Sequence, residues 1–245
     1  MEETFWEHLD DLRSVIIRII IIALVFSLAA FFLKDWLFDI IFAPKSSSFI
    51  SYKILGGEDF NISLINTELT GQFMMHLKVS VVAGIIAASP YIIYELFKFV
   101  SPALYENEKK YSSHIVLAAY LMFILGAVIN YFLIFPLTLR FLGTYEVSAE
   151  VRNMLTLDSY MDTLLMMTLV FGIVFEIPVL SWLLGRFGLL KSKWMRKYRR
   201  HAIVVILIMA AIITPTSDIF TLTIVFLPIW LLYEISVIVV KRIEK

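Results

Sequence analysis

Apolar residues in this chain come in long runs, without the narrow stripes of a helix that has one wet face. Six runs stand out, at residues 14–33, 71–97, 113–136, 159–184, 201–213 and 219–240. A helix rises 1.5 Å per residue, so about 20 apolar residues cross the ~30 Å hydrocarbon core of a bilayer. The runs lack the strict alternation that a membrane β-barrel needs. The pattern predicts an all-α integral membrane protein with six transmembrane helices in a single domain covering residues 1–245. The fifth run is short, about 20 Å as a helix. The sixth meets a charge, Glu234, after a similarly short stretch. Either this pair thins the bilayer beside it, or flanking Thr, His and Trp residues complete the crossing.

Polar positions orient the spans. Lys and Arg collect on the cytoplasmic side of membrane helices. One side holds Arg13, Arg18, Lys98, Lys109, Lys110, seven basic residues between Arg186 and Arg200, and Lys241, Arg242 and Lys245. The other holds only Lys34, Lys45, Lys53, Arg140 and Arg152, and Lys78 falls within a span. Both termini are therefore expected in the cytoplasm. The first outer segment, 34–70, opens with KDWLFDIIFAP. That stretch suits a short helix lying in the interface, with Asp35 and Asp39 on one face. The acidic start, with Glu2, Glu3, Glu7, Asp10 and Asp11, is unlike a cleavable signal, so the first run is read as a retained span.

Composition agrees with this picture. Sixty per cent of the 245 residues are hydrophobic and 17% are charged. Net charge is zero and by itself says nothing about partners; no nucleic acid is expected. Without cysteine there is no disulfide and no thiolate ligand. The four histidines, His8, His76, His114 and His201, sit near span ends on separate segments. No metalloprotease, nucleophile-elbow or phosphate-loop pattern occurs. No enzyme activity, metal or cofactor is expected.

Two constellations remain. Residues 170–182 read VFGIVFEIPVLSW. A carboxylate at the centre of a span costs about 3 kcal/mol on insertion scales. Gly172 lies one helical turn before Glu176, which predicts space beside the acid. Pro178 cannot donate to the carbonyl of Val174. An acid, a gap and a free carbonyl predict a water-accessible hollow at membrane depth. The other reading is a buried tie from Glu176 to a neighbouring helix, with Lys78 or Asn130 as partner. The second constellation is acidic and cytoplasmic: Asp10, Asp11, Glu95, Glu106 and Glu108, with Phe99 and Tyr105 as apolar walls. Carboxylates receive guanidinium through paired hydrogen bonds. From composition alone the solvated charges of ordinary loops are the preferred reading. Ser101 followed by Pro102 predicts a short helix in that loop.

Together these stretches resemble the TatC family, the polytopic receptor subunit of the twin-arginine protein translocase. The similarity starts at HLDDLR, residues 8–13, against the family's HLxELR. It continues through Ala43-Pro44 and Lys78 to ASPYIIYELFKFVSPALYENEKK, residues 88–110. Phe171-Gly172 with Phe175-Glu176-Ile177-Pro178 matches FGxxFExP, and Arg196-Lys197-Tyr198, Thr214-Pro215 with Asp218, and Tyr233-Glu234-Ile235 follow in order.

The resemblance implies a receptor that binds twin-arginine signal peptides of folded cargo at its cytoplasmic face. It implies TatA- and TatB-type single-span partners in homo- and hetero-oligomers, transport driven by the proton-motive force, and residence in the bacterial cytoplasmic (inner) membrane. The implied signal-peptide-binding residues are Asp11, Arg13, Phe99 and Glu108. Glu176 is the intramembrane polar site of a bundle with a concave face, supported by Pro44, Gly172, Pro178 and Asp218. Three positions depart from the family pattern. Asp11 is one methylene shorter than the usual Glu. Tyr94-Glu95-Leu96-Phe97 stands where YQxW is common. Leu222 replaces a frequent Gln after a turn that is one residue longer. A reading from another class is a proton- or ion-coupled small-solute transporter centred on Glu176, which a second midplane acid would favour.

Overall fold

The computed structural model describes residues 5–55, 60, 62–100, 112–145, 148, 154–214 and 218–244. Helix α1 (Phe5–Phe32) is followed by α2 (Lys34–Phe42), a single 3₁₀ turn (Ala43–Lys45) and α3 (Ile50–Leu55). Helix α4 (Gly71–Val100) returns across the molecule. Helix α5 (Ser112–Ile129) runs through a π-helical turn (Asn130–Ile134) into α6 (Phe135–Thr144). Helices α7 (Leu157–Val174) and α8 (Ile177–Arg186) form one interrupted rod. The chain ends with α9 (Ser192–Lys197), α10 (Arg199–Ile213) and α11 (Ile219–Ile243). Strands β1 (Leu64–Ile65) and β2 (Leu155–Thr156) pair in parallel and tie two loops together.

Among the described residues, five helical stretches are long and apolar enough to cross a membrane: Leu9–Phe32, Gly71–Phe99, His114–Thr144, Leu157–Arg186 and Ile219–Ile243. They carry five of the six predicted runs. The run at 201–213 is α10, with 15 residues. At about 22 Å it falls short of the ~30 Å core.

The third run continues past Pro136, where the sequence reading ended it. Pro136 has no N–H to give the carbonyl of Phe132, four residues back. The hydroxyl of Ser51 on α3 donates to that carbonyl instead. The adjacent π turn absorbs the change of register. Tyr52 donates its hydroxyl to the carbonyls of Pro44 and Pro136, at 2.9 and 3.1 Å. Burial pushes the Tyr52 phenol well above its ordinary pKa. Tyr131 and Tyr160 donate to the carbonyls of Ile40 and Ile41, both at 2.6 Å. The segment from α2 to α3 thus covers the π turn after α5 and the start of α7. Pro44 is buried within it, at the 3₁₀ turn.

Helices α1 and α4 pack antiparallel. Phe31 stacks on His76, Ser27 meets Gly84, and Arg18 meets Glu95. A Cβ on Gly84 would lie 2.4–2.5 Å from the backbone of Ser27, so only glycine allows this approach. Across the bundle, Gly126 of α5 lets the carbonyl of Phe171 come as close, 2.4 Å from a would-be Cβ. The main core lies between these contacts, around fully buried Met75, Phe135, Tyr160, Phe171 and Ile229.

Candidate functional site

The N-terminal part of α1 and the C-terminal part of α4 are joined by one ion pair. Arg18 donates to Glu95 Oε2 from Nε and Nη2, at 3.1 and 2.9 Å. The Tyr91 hydroxyl donates to the same carboxylate. Glu95 is 5% exposed while Arg18 is 44% exposed, so the acid is the buried member. Asp11 lies seven residues before Arg18, about 10 Å along α1 and on the same helical face. Phe99 lies one turn beyond Glu95. Antiparallel packing therefore brings Asp11 and Phe99 to the same end of the helix pair. Asp10, Asp11 and Arg13 are exposed there, Phe99 is half-buried, and Val15 anchors the turn beneath Asp11.

Sequence reasoning counted Glu95 among the acids open to a ligand. The structure engages it with Arg18 and Tyr91, which that reasoning did not pair. One signal was present: a guanidinium inside an apolar run needs a carboxylate from a neighbouring helix. Glu106 and Glu108, with Ser101, Pro102 and Tyr105, lie outside the described residues.

Glu176 lies at the break between α7 and α8. Phe175 N–H still reaches the carbonyl of Phe171, and Glu176 N–H turns back to Ile173, both at 3.0 Å. Pro178 then occupies the first turn of α8, where a missing N–H is tolerated. The acid is half-buried, and its Oε1 is covered with no hydrogen-bond partner among the described residues.

Neither partner suggested by the sequence reaches Glu176. Lys78 pairs with Asp162 at 2.7 Å. Asn130 donates to Thr168 Oγ1 at 2.9 Å. The space expected at Gly172 is also taken. A Cβ there would lie 2.6 Å from the Phe123 ring, so the absent side chain admits an aromatic ring from α5. Asp218 accepts from Thr221 N–H at 2.7 Å and caps α11. Glu234, the charge met by the last run, pairs with Arg199 at 2.8 Å.

The family model described as Sec-independent protein translocase protein (TatC) matches residues 7–228. A Sec-independent protein translocase protein TatC from Blattabacterium sp. subsp. Periplaneta americana is 32% identical, covering 100% of this chain and 97% of the relative. The TatC protein of Aquifex aeolicus is 33% identical, over 96% of this chain and 93% of the relative. A crystal structure of a twin-arginine translocase receptor, TatC, superposes with a TM-score of 0.83 at 33% identity. It covers 98% of this chain and 100% of the solved one.

Proposed function

This chain belongs to the TatC family of Sec-independent protein translocase proteins, and from that premise we propose that it is the receptor for twin-arginine signal peptides. The supporting observation is the shared end of α1 and α4. Asp11 stands exposed there beside the level of Phe99, on helices locked by Arg18 and Glu95. A carboxylate at the mouth of an aromatic-walled surface suits a guanidinium with an apolar segment following it. Glu108 supplies the second acid, one for each arginine, and Arg13 flanks the site.

In this reading the chain crosses the bacterial cytoplasmic membrane six times with both termini inside, α10 being the short crossing. Cargo arrives folded, TatA- and TatB-type single-span proteins join it in homo- and hetero-oligomers, and the proton-motive force drives transport. Glu176 is a second station within the bilayer, on a concave face, where its half-buried carboxyl group can meet a polar group of the peptide or a partner.

Site-specific crosslinking from positions 11, 99 and 108 to a signal peptide tests the receptor reading. Adducts are expected with the Arg-Arg peptide and much reduced with its Lys-Lys counterpart. Asp11→Lys and Glu108→Arg should each weaken binding while the protein still inserts, and salt should weaken the wild-type contact. Binding that is unchanged in both variants refutes the reading.

A further inference from the structure

A groove of about 1000 Å³ runs between α5, α8 and α11. Among the described residues no Asp or Glu lines it, and its walls are almost wholly apolar. Its polar groups gather at one mouth. Arg186 ends α8, with its guanidinium 5.5 Å from the centre of the Trp182 ring. His114 faces them from the start of α5. Arg186 and His114 are both exposed. An arginine over an indole at the end of a membrane helix marks the level of the lipid headgroups.

The depth of the groove selects its occupant. On the α7–α8 rod the wall runs from Phe175, at the break, to Arg186, and on α11 from Pro228 to Val239. Each is about 16 Å long, close to half of the ~30 Å core. Among the described residues only the α5 wall continues further, into the π turn at Leu133. A spanning partner helix seated here would be packed against α8 and α11 over only half of its length. An acyl chain entering from one leaflet needs half of it.

We propose that this groove binds an anionic phospholipid of the inner leaflet. Arg186 and the donor N–H of His114 hold the phosphate, and an acyl chain lies along Met122, Leu125, Leu231 and Ile235. The bound lipid then bridges α5, α8 and α11 just below the helix break at Glu176. The inner-leaflet assignment rests on the membrane orientation proposed above, and it does not depend on peptide binding.

The test is native mass spectrometry of the full chain in neutral detergent, with equal amounts of phosphatidylglycerol and phosphatidylcholine. Phosphatidylglycerol should dominate the retained lipid. Removing one basic group should cut that retention about fivefold, so Arg186→Gln should do so and leave phosphatidylcholine unchanged. Leu125→Trp, which fills the groove and keeps the mouth, should reduce both lipids. Equal retention of the two lipids by wild type overturns the proposal. So does phosphatidylglycerol retention that survives both variants, or a groove that stays lipid-free and is protected only by a single-span partner. The chain has no native cysteine. Lys191→Cys should therefore label only from the cytoplasmic side, and labelling from outside overturns the inner-leaflet assignment. Twin-arginine peptide binding should persist in Arg186→Gln. Its absence in wild type would sink the receptor reading and leave the lipid result standing.

Discussion

The Arg18–Glu95 pair predicts an asymmetric response to mutation. Truncating one member of a buried pair strands the other, at a cost of about 3–5 kcal/mol. Here the members differ in burial, 5% exposure for Glu95 against 44% for Arg18. In Arg18→Gln the stranded group is the covered carboxylate. Tyr91 still donates to it, and it lies near the end of the helix pair, so the lower figure of about 3 kcal/mol applies. In Glu95→Gln the stranded group is a half-exposed guanidinium on a long stem. It can swing toward water and headgroups, and the loss falls toward the ~1 kcal/mol of an exposed pair. Tyr91 keeps an acceptor in the amide oxygen of the substituted side chain. The difference of about 2 kcal/mol corresponds to roughly a thirtyfold difference in unfolding equilibrium. The assay is reversible unfolding in mixed micelles with increasing denaturing detergent, on both single variants and the double variant. Arg18→Gln should be the less stable single variant, and the double variant should lie nearer Glu95→Gln. Equal losses, or a greater loss for Glu95→Gln, would refute the reasoning, because the buried charge would then not control the cost.

Two further outcomes follow from the packing and the termini. Gly126→Ala sets a Cβ 2.4 Å from the carbonyl oxygen of Phe171, an immovable backbone atom, whereas Gly172→Ala meets the Phe123 ring at 2.6 Å, which can shift. In the same unfolding assay Gly126→Ala should lose about 2–3 kcal/mol and Gly172→Ala about 1, within the usual range for overpacking. At the C-terminal end, hydrogen bonds from the Ser192 hydroxyl and N–H hold the Glu244 carboxyl below the usual carboxylate range. The folded form is thus the weaker acceptor of protons, so the contact contributes fully above the ordinary Glu pKa and is lost as pH falls through the depressed one. Protease cutting near the C-terminus should accelerate on acidification in wild type and lose that pH step in Glu244→Gln.

The spans were legible in the sequence because hydrocarbon admits few solutions to backbone hydrogen bonding, and a run of apolar residues declares one of them. Their ends were less legible where a distant group intervened. Pro136 reads as a stop in isolation, yet Ser51, 81 residues from Phe132 in the chain, supplies the missing donor. The break at Glu176 was visible through Pro178. The use of Gly172 was not, since a glycine looks the same in sequence whether its space is empty or filled from another helix.

The acidic patch shows the same limit and narrows the binding hypothesis. Five carboxylates share the inner side by charge pattern, and no local feature separates a ligand-binding acid from a structural one. Packing separates the three that the structure describes, Asp10, Asp11 and Glu95. Glu95 has its charge answered by Arg18 and its surface covered, so releasing it to a peptide guanidinium would break the contact that positions α1 against α4. Asp11 sits two turns further out on the same face of α1, exposed, with its neighbour Asp10. A carboxylate that is free of packing, but mounted on a helix fixed by an ion pair one level below, can meet an arginine without first surrendering a structural contact. The acid that departs from the family pattern by being present, Glu95, is therefore the one to exclude from recognition, and the acid that departs by being short, Asp11, is the one to test.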